Sequence, residues 1–246
     1  MRLVRILSAL FLAYTLACTM AAPAQAEPVK LKVMVFNIWR SGVQLSLAQV
    51  AAAIRAADPD VVALQEPEGN SRRIADLLGW AYVDERVHLI SRYPLFMGRQ
   101  DDVDFSYVEV RHGAMVAVTN LHLPSDAYGP ELVRDGKTVE EVLQGEADNR
   151  MYMLEPYAAA MPKVAASGIP TIVGGDFNSP SHLDWTEAMT KVRPAVKYPI
   201  VWPESKLMAD SGFVDSYRAV HPDPAAQPGL TWTPGYPHPF VRPEET

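Results

Sequence analysis

The chain carries a single cysteine, Cys18, in 246 residues. No intrachain disulfide can form, so stability has to come from burial and hydrogen bonding. It also lacks a long apolar run: the uncharged stretch from Ile6 to Cys18 is too short to span a bilayer comfortably. Positive charge is not in excess either. Lys and Arg number 22 against 29 Asp and Glu, a formal charge of −7. Lys and Arg contacts supply most non-specific nucleic-acid affinity by releasing counterions, so this balance argues against a strong, indiscriminate polyanion binder. A local basic cleft is not excluded by it. There is no internal repeat and no linker that divides the chain.

What is present is ordinary globular material, 48% hydrophobic and 21% charged, enough for one large domain or two small ones. The first 26 residues differ. Arg2 and Arg5 precede the uncharged run, and Ala24-Gln25-Ala26 follows it, the pattern of a cleaved secretory signal. An uncleaved anchor is the alternative. Cleavage after Ala26 would remove Cys18 and, with Arg2 and Arg5, shift the formal charge from −7 to −9. The mature chain, 27–246, would then hold neither disulfide nor thiol nucleophile, which is compatible with the periplasm or the exterior. The expectation is a secreted or periplasmic protein.

Residues 31–37 alternate and then run apolar, reading as a strand that delivers Asn37 at its end. Ser46 is a plausible N-cap for a helix carrying Leu47, Val50 and Ile54 on one face and stopped by Asp58-Pro59-Asp60. A buried strand at 61–64 leads to Gln65 and Glu66, a short helix is expected over 71–78, and a further strand over 87–90. Residues 105–110 and 114–120 read as a hairpin around His112-Gly113, leading to His122. The stretch 124–148 is polar, with seven acidic residues from Asp126 to Asp148 against Arg134 and Lys137. Residues 149–166 return to helical spacing. Thr138 with Glu141, and Ser181 with Asp184, resemble capping boxes. Residues 212–217 and 230–233 look like short elements, and the seven prolines from Pro222 onward mark loop. The alternation of strands and helices is a mixed α/β pattern.

Thr171-Ile172-Val173-Gly174-Gly175-Asp176-Phe177-Asn178 is an apolar strand ending in two glycines and then an acid and an amide two residues apart. Residues i and i+2 on an extended chain point the same way. A carboxylate beside a carboxamide suits orienting a water and binding a phosphate oxygen. Glycine also lets a substrate group approach the backbone closely. The same residue types form an Asx turn closing a strand, and that reading stays open for this segment alone. Asn37, Glu66, His122, Asp176 and Asn178, however, all stand at or just after predicted strand ends, where open α/β sheets place their ligands.

These segments resemble the endonuclease/exonuclease/phosphatase superfamily. Val35-Phe36-Asn37-Ile38-Trp39, Leu64-Gln65-Glu66, Ser91-Arg92-Tyr93-Pro94, Asn120-Leu121-His122-Leu123 and Gly174-Gly175-Asp176-Phe177-Asn178 occur in the family's order, and 212–218 with 230–232 look like its later segments. The resemblance implies an α/β fold of two packed mixed β-sheets flanked by helices, a four-layer sandwich. It implies that Glu66 ligates a divalent cation, most often Mg2+, with Mn2+ or Ca2+ as alternatives, and that Asn37 orients that carboxylate and the phosphate. It gives His122 a hydrogen bond or proton to the phosphoryl centre, Asp176 the attacking water, and Asn178 a non-bridging oxygen. The implied activity is hydrolysis of a phosphate ester by a monomer.

Two of the family's blocks, an Arg-Ile-Asp-Tyr type strand and a later Asp-His pair, have no counterpart, so the domain at 27–246 is expected to be incomplete at its C-terminus. That leaves an inactive, binding-only or truncated member as the competing expectation. Arg92, Arg150 and Trp232 are further candidates for substrate contact, with Arg111, Arg218, Tyr128 and Tyr236 beside them. Surface pairing or packing is the alternative for each. The substrate, nucleic acid or lipid head group, is open. If the acidic segment after His122 lines the cleft, it disfavours dense polyanions.

Overall fold

The structure, a computed structural model, describes residues 28–42 and 45–232. By contacts the chain divides into Met1–Lys30 and Leu31–Thr246. Pro28–Lys30 carry no helix or strand, and every element belongs to the second unit. The expected signal segment 1–26 and Tyr236 lie outside the described residues.

In chain order the elements are β1 (Val33–Asn37), α1 (Trp39–Gly42, a single left-handed turn), α2 (Leu47–Ala57), β2 (Val61–Gln65), α3 (Ser71–Leu78), β3 (Tyr82–Asp84), β4 (Leu89–Ser91), β5 (Leu95–Gln100), β6 (Val103–Arg111) and β7 (Ala114–His122). Then come α4 (Gly129–Arg134), α5 (Val139–Glu146), a π turn (Ala147–Met151), α6 (Tyr152–Ala166), β8 (Thr171–Asp176), a 3-10 turn (Met189–Lys191), α7 (Pro203–Asp210) and α8 (Ser216–Val220). Two four-stranded sheets result, ordered β1-β2-β4-β3 and β5-β6-β7-β8. Both are mixed: β1 and β2 are parallel, as are β7 and β8, while the other pairs are antiparallel.

Alternation within the strands builds the layers. In β2, Val62 and Leu64 join Val50, Ile54, Ile74 and Ile90 beneath α2 and α3, while Val61 and Ala63 face Val108 and Val118 of the other sheet. All five β2 residues are consequently buried, which is why the strand reads as an unbroken apolar run. On the far side, Phe105 and Ala117 pack against Ala160, Met161 and Val164 of α6. The order helix, sheet, sheet, helix is the expected four-layer sandwich.

Local signals read from sequence are largely realised. Ser46 and Gln49 complete a capping box on α2, and Thr138 and Glu141 do so on α5. Departures have physical causes. The strand expected at 87–90 begins at Leu89 because His88, at φ +50°, belongs to the preceding turn. The edge strand β5 was obscured by Gly98, a turn former by habit. There a Cβ would stand 2.3 Å from the Phe105 ring, so the glycine makes room for an aromatic neighbour. The polar stretch 124–148 is not loop but contains α4 and α5, whose buried faces, Val133 and Val142, pack on Trp185, Met189 and Trp202. Ser181 caps no helix. Its hydroxyl donates to Asp215, which itself caps α8. Residues 230–232 form no element.

A candidate metal-dependent phosphoester site at the paired strand ends

Parallel pairing sets Asn37 beside Gln65 and His122 beside Asp176. Four strand C-termini therefore open on one side, two from each sheet. One nitrogen joins the two halves: Asn37 Nδ2 donates to Glu66 Oε1 at 3.0 Å and to Asp176 Oδ2 at 2.9 Å. His122 Nε2 lies 3.9 Å from Glu66 Oε1 and 4.0 Å from Asp176 Oδ2. All three ionisable side chains are partly exposed, 26–37%, so the group is held by protein and open to solvent.

The backbone around Glu66 is bent to fix it. Trp39, Arg40, Ser41 and Glu66 all have positive φ, a conformation costing about 1–2 kcal/mol per non-glycine residue. In return Trp39 N donates to Asn37 Oδ1, Arg40 N to Glu66 Oε2 at 2.7 Å, and Ser41 N to the Glu66 carbonyl. Glu66 thus has one oxygen on a side-chain amide and the other on a backbone amide. Asp176 is held likewise, by Asn37 and by Asn178 N at 2.9 Å. Asn178, at φ +46°, commits one amide hydrogen to the Leu123 carbonyl and keeps another.

Two side chains that sequence reading left out support the site from below. Asn120 spans the sheets, donating to the Leu64 and Val87 carbonyls at 2.8 and 2.9 Å and accepting from buried Gln65. A signal for Asn120 existed: it stands at i−2 from His122, on the same strand face. The two glycines serve packing rather than substrate approach. At Gly175, φ +146°, a Cβ would meet the Leu121 backbone at 2.2 Å, and at Gly174 one would meet Val35 at 3.1 Å. Tyr128 is a neighbour, its phenol pushed up in pKa by burial first and by the charge of Asp176 second.

Three of the secondary candidates, Arg92, Arg150 and Arg218, are engaged away from this group. Arg92 follows β4, whose Ser91 pairs with Val61 at the opposite end of β2 from Glu66. Five residues of strand, roughly 17 Å, separate the two ends. It pairs with Asp58 and lies over the Trp80 ring. Arg150 is fully buried, donating to Glu146 and to the Pro124, Asp126 and Ala127 carbonyls, so it cannot reach a phosphate. Arg218, also buried, holds the Asp184 carboxylate and three carbonyls. Trp232 is the last described residue and 57% exposed.

Two hard carboxylates sharing one neutral amide leave a net negative charge that the amide cannot offset. That donor set fits Mg2+, which takes one or two carboxylates and completes its shell with water and substrate phosphate. Among the described residues no group of three or more His, Cys, Asp or Glu side chains is set to hold an ion without such help.

The Endonuclease/Exonuclease/phosphatase family model matches residues 34–243. An uncharacterized protein of Caenorhabditis elegans is 31% identical over 224 residues, covering 82% of this chain and 70% of that protein. A crystal structure of TDP2 from Caenorhabditis elegans aligns at 18% identity with TM-score 0.36, covering 61% of this chain. The chain spans about half of that structure, 48%. Members of the matched family include phosphoesterases and nucleases that generally use divalent metal ions such as Mg2+. With its five ordered motifs now gathered on two facing sheets, this chain belongs to the Endonuclease/Exonuclease/phosphatase family.

Proposed function

We propose that this chain is an exported, Mg2+-dependent phosphodiesterase that hydrolyses its substrate with a protein-activated water. The observation that carries the reading is the single Asn37 nitrogen bridging Glu66 and Asp176 with His122 within 4.0 Å of both. When bound, a divalent cation supplies neutralisation of charge on the phosphoryl oxygens. Glu66, with both oxygens pre-aligned, would hold it. Asp176 orients and deprotonates the attacking water, a task open to a partly exposed carboxylate fixed by two N–H donors. His122 donates a hydrogen bond or proton to the phosphoryl centre. Asn178 binds a non-bridging oxygen with the amide hydrogen that Leu123 leaves free. Asn37 keeps the two carboxylates apart and in register.

The substrate class is a phosphate ester, a nucleic acid or a lipid head group among them. The acidic segment is partly neutralised, since Lys137 pairs with Glu141 and Arg134 with Glu131 and Asp135 within it, and Arg150 just beyond it pairs with Glu146. It repels a long polyanion less than its composition suggests. Residues 1–26 support export to the periplasm or exterior, with the mature chain acting as a monomer. No helix among the described residues is long and apolar enough to cross a membrane.

The test is hydrolysis of DNA, RNA, sphingomyelin and bis-p-nitrophenyl phosphate by purified protein, with Mg2+ or with chelator. Stimulation by Mg2+ and a loss of about 10²–10⁴ in kcat for Glu66→Ala and Asp176→Ala are expected. Absence of hydrolysis across the panel, or turnover indifferent to both substitutions, would sink the proposal.

A further inference from the structure

Directly behind the site lies a buried ionic cluster that the proposed chemistry does not use. Arg150, Glu146 and Glu204 are each 0% exposed. Arg150 Nε donates to Glu146 Oε2 and lies 3.6 Å from Glu204 Oε1. The remaining oxygens, Glu146 Oε1 and Glu204 Oε1, are buried without a hydrogen-bond partner. With both acids ionised the cluster would carry a net charge of −1 in a site without solvent, where burial strongly disfavours an uncompensated charge. One retained proton makes it neutral and supplies a donor between two acids that otherwise only accept.

The cluster also grips the site's two loops. Arg150 captures the carbonyls of Pro124, Asp126 and Ala127 at 2.8–2.9 Å, just past His122. Glu204 Oε2 accepts from Ser179 at 2.8 Å, next to Asn178. Ala127 is held at φ +47°, and Gly129 packs so closely that a Cβ would meet Glu146 Oε1 at 2.3 Å.

We propose that Glu146 and Glu204 share a single proton and, clamped by Arg150, act as positioning residues that fix the His122 and Asn178 loops. The positioning role rests on the phosphodiesterase reading of the site; the shared proton does not. Burial, the largest cause, pushes the Glu146 carboxyl up to about 8, against the Arg150 hydrogen bond and with Glu204 adding to the rise. The titratable or charged groups facing Glu146 are Arg150 in the π turn, Glu204 on α7 and the Tyr128 phenol ahead of α4. The folded state keeps a proton that the unfolded chain releases above about pH 4.3–4.5. This group's contribution is therefore whole below that value, falls as pH rises, and is lost above about 8.

Urea unfolding of the full chain from pH 5 to 8 tests the proton. Wild type should lose folding equilibrium constant about tenfold per pH unit relative to Glu204→Gln, whose amide replaces the proton. Parallel pH curves for wild type, Glu146→Gln and Glu204→Gln would overturn it. Should neither variant fold, wild type alone decides: an infrared band of a protonated, buried carboxyl at pH 7 is expected, and its absence refutes the sharing. Positioning is read by amide exchange at 122–127 and 176–179, which Glu204→Ala should speed at least tenfold and Glu204→Gln should largely spare. Equal exchange in both variants overturns the positioning role. Bis-p-nitrophenyl phosphate hydrolysis should follow the same order in kcat with KM little moved. A wild type that turns nothing over removes the phosphodiesterase reading while leaving the proton and exchange outcomes to stand or fall by themselves.

Discussion

Asn37 serves two carboxylates with one nitrogen, and that double duty sets the consequence of losing it. Glu66 keeps its bond to Arg40 N and Asp176 keeps its bond to Asn178 N, so neither carboxylate swings away in Asn37→Ala. What is lost is the spacing between them, since like charges then face each other across an unbridged gap. Removing one preorganised donor from such a site costs about 10²–10³ in kcat, and that is the expected effect on Mg2+-stimulated hydrolysis. Asn37 is only partly buried, so its truncation should change the unfolding free energy by less than about 1–2 kcal/mol. A loss of activity with matched loss of fold, followed together by kinetics and circular dichroism, would contradict this assignment. Asn37→Asp makes a sharper case, because it adds a third negative charge where a donor stood. It should be no more active than Asn37→Ala while binding Mg2+ at least as tightly in the absence of substrate.

At the scale of elements, β8 depends on Gly175 for its seat against β7. Its φ of +146° lies where side-chain-bearing residues are strained, and an added Cβ would stand 2.2 Å from the Leu121 carbonyl oxygen. Gly175→Ala therefore has to push β8 off the register that sets Asp176 beside His122. A cost of about 2–4 kcal/mol is expected, measured by urea unfolding, together with loss of hydrolysis in protein that remains folded. Such elements also show what a sequence discloses. β2 and β7 were legible because burial on both faces demands apolar runs, and α2 because Ser46 stands ahead of a regular apolar stripe and Asp58-Pro59-Asp60 ends it. The site residues Asn37, Glu66, His122 and Asp176 were legible through their shared strand-end position and their order. Sequence did not disclose Arg150's burial, because a guanidinium paired with a buried acid and three carbonyls looks, letter by letter, like one reaching for phosphate. Nor did it disclose α4, or α5 beyond its Thr138–Glu141 cap: their outward faces are acidic, and their inward residues are spaced around Trp185 and Trp202, distant in the chain.

Across the whole molecule, among the described residues, the two sheets meet through a largely apolar seam, yet besides the Asn37–Asp176 bond at the site polar bonds pin it at two further places. Beneath the site, Asn120 carries bonds from β7 to the carbonyls of Leu64 and Val87. Away from the site, on the outermost strand of the first sheet, Asp84 accepts from Ser106 of β6 at 2.7 Å and from Arg86 at 2.7 Å. Arg86 adds bonds to Asp104 and to the Phe105 carbonyl. Asp84 is 8% exposed, so Arg86→Ala leaves a nearly buried carboxylate with the Ser106 hydroxyl and the amide of residue 86 as donors but without its countercharge. Breaking a fully buried pair costs about 3–5 kcal/mol, but Arg86 is 33% exposed and water can enter where it stood, which lowers the expected loss to about 2–3 kcal/mol. Asp84→Asn should cost less, since its amide keeps an acceptor for Ser106 and buries no charge. The double substitution should fall well short of the sum of the two single losses, because each removes the other's partner. Urea midpoints for the four proteins measure this coupling. Hydrolysis well below the unfolding transition should be indifferent to Arg86→Ala, since the pin holds sheet to sheet at a distance from Glu66 and Asp176. An equal fall in turnover and stability would mean instead that the two pins act as one, with the seam transmitting strain from β3 to the site.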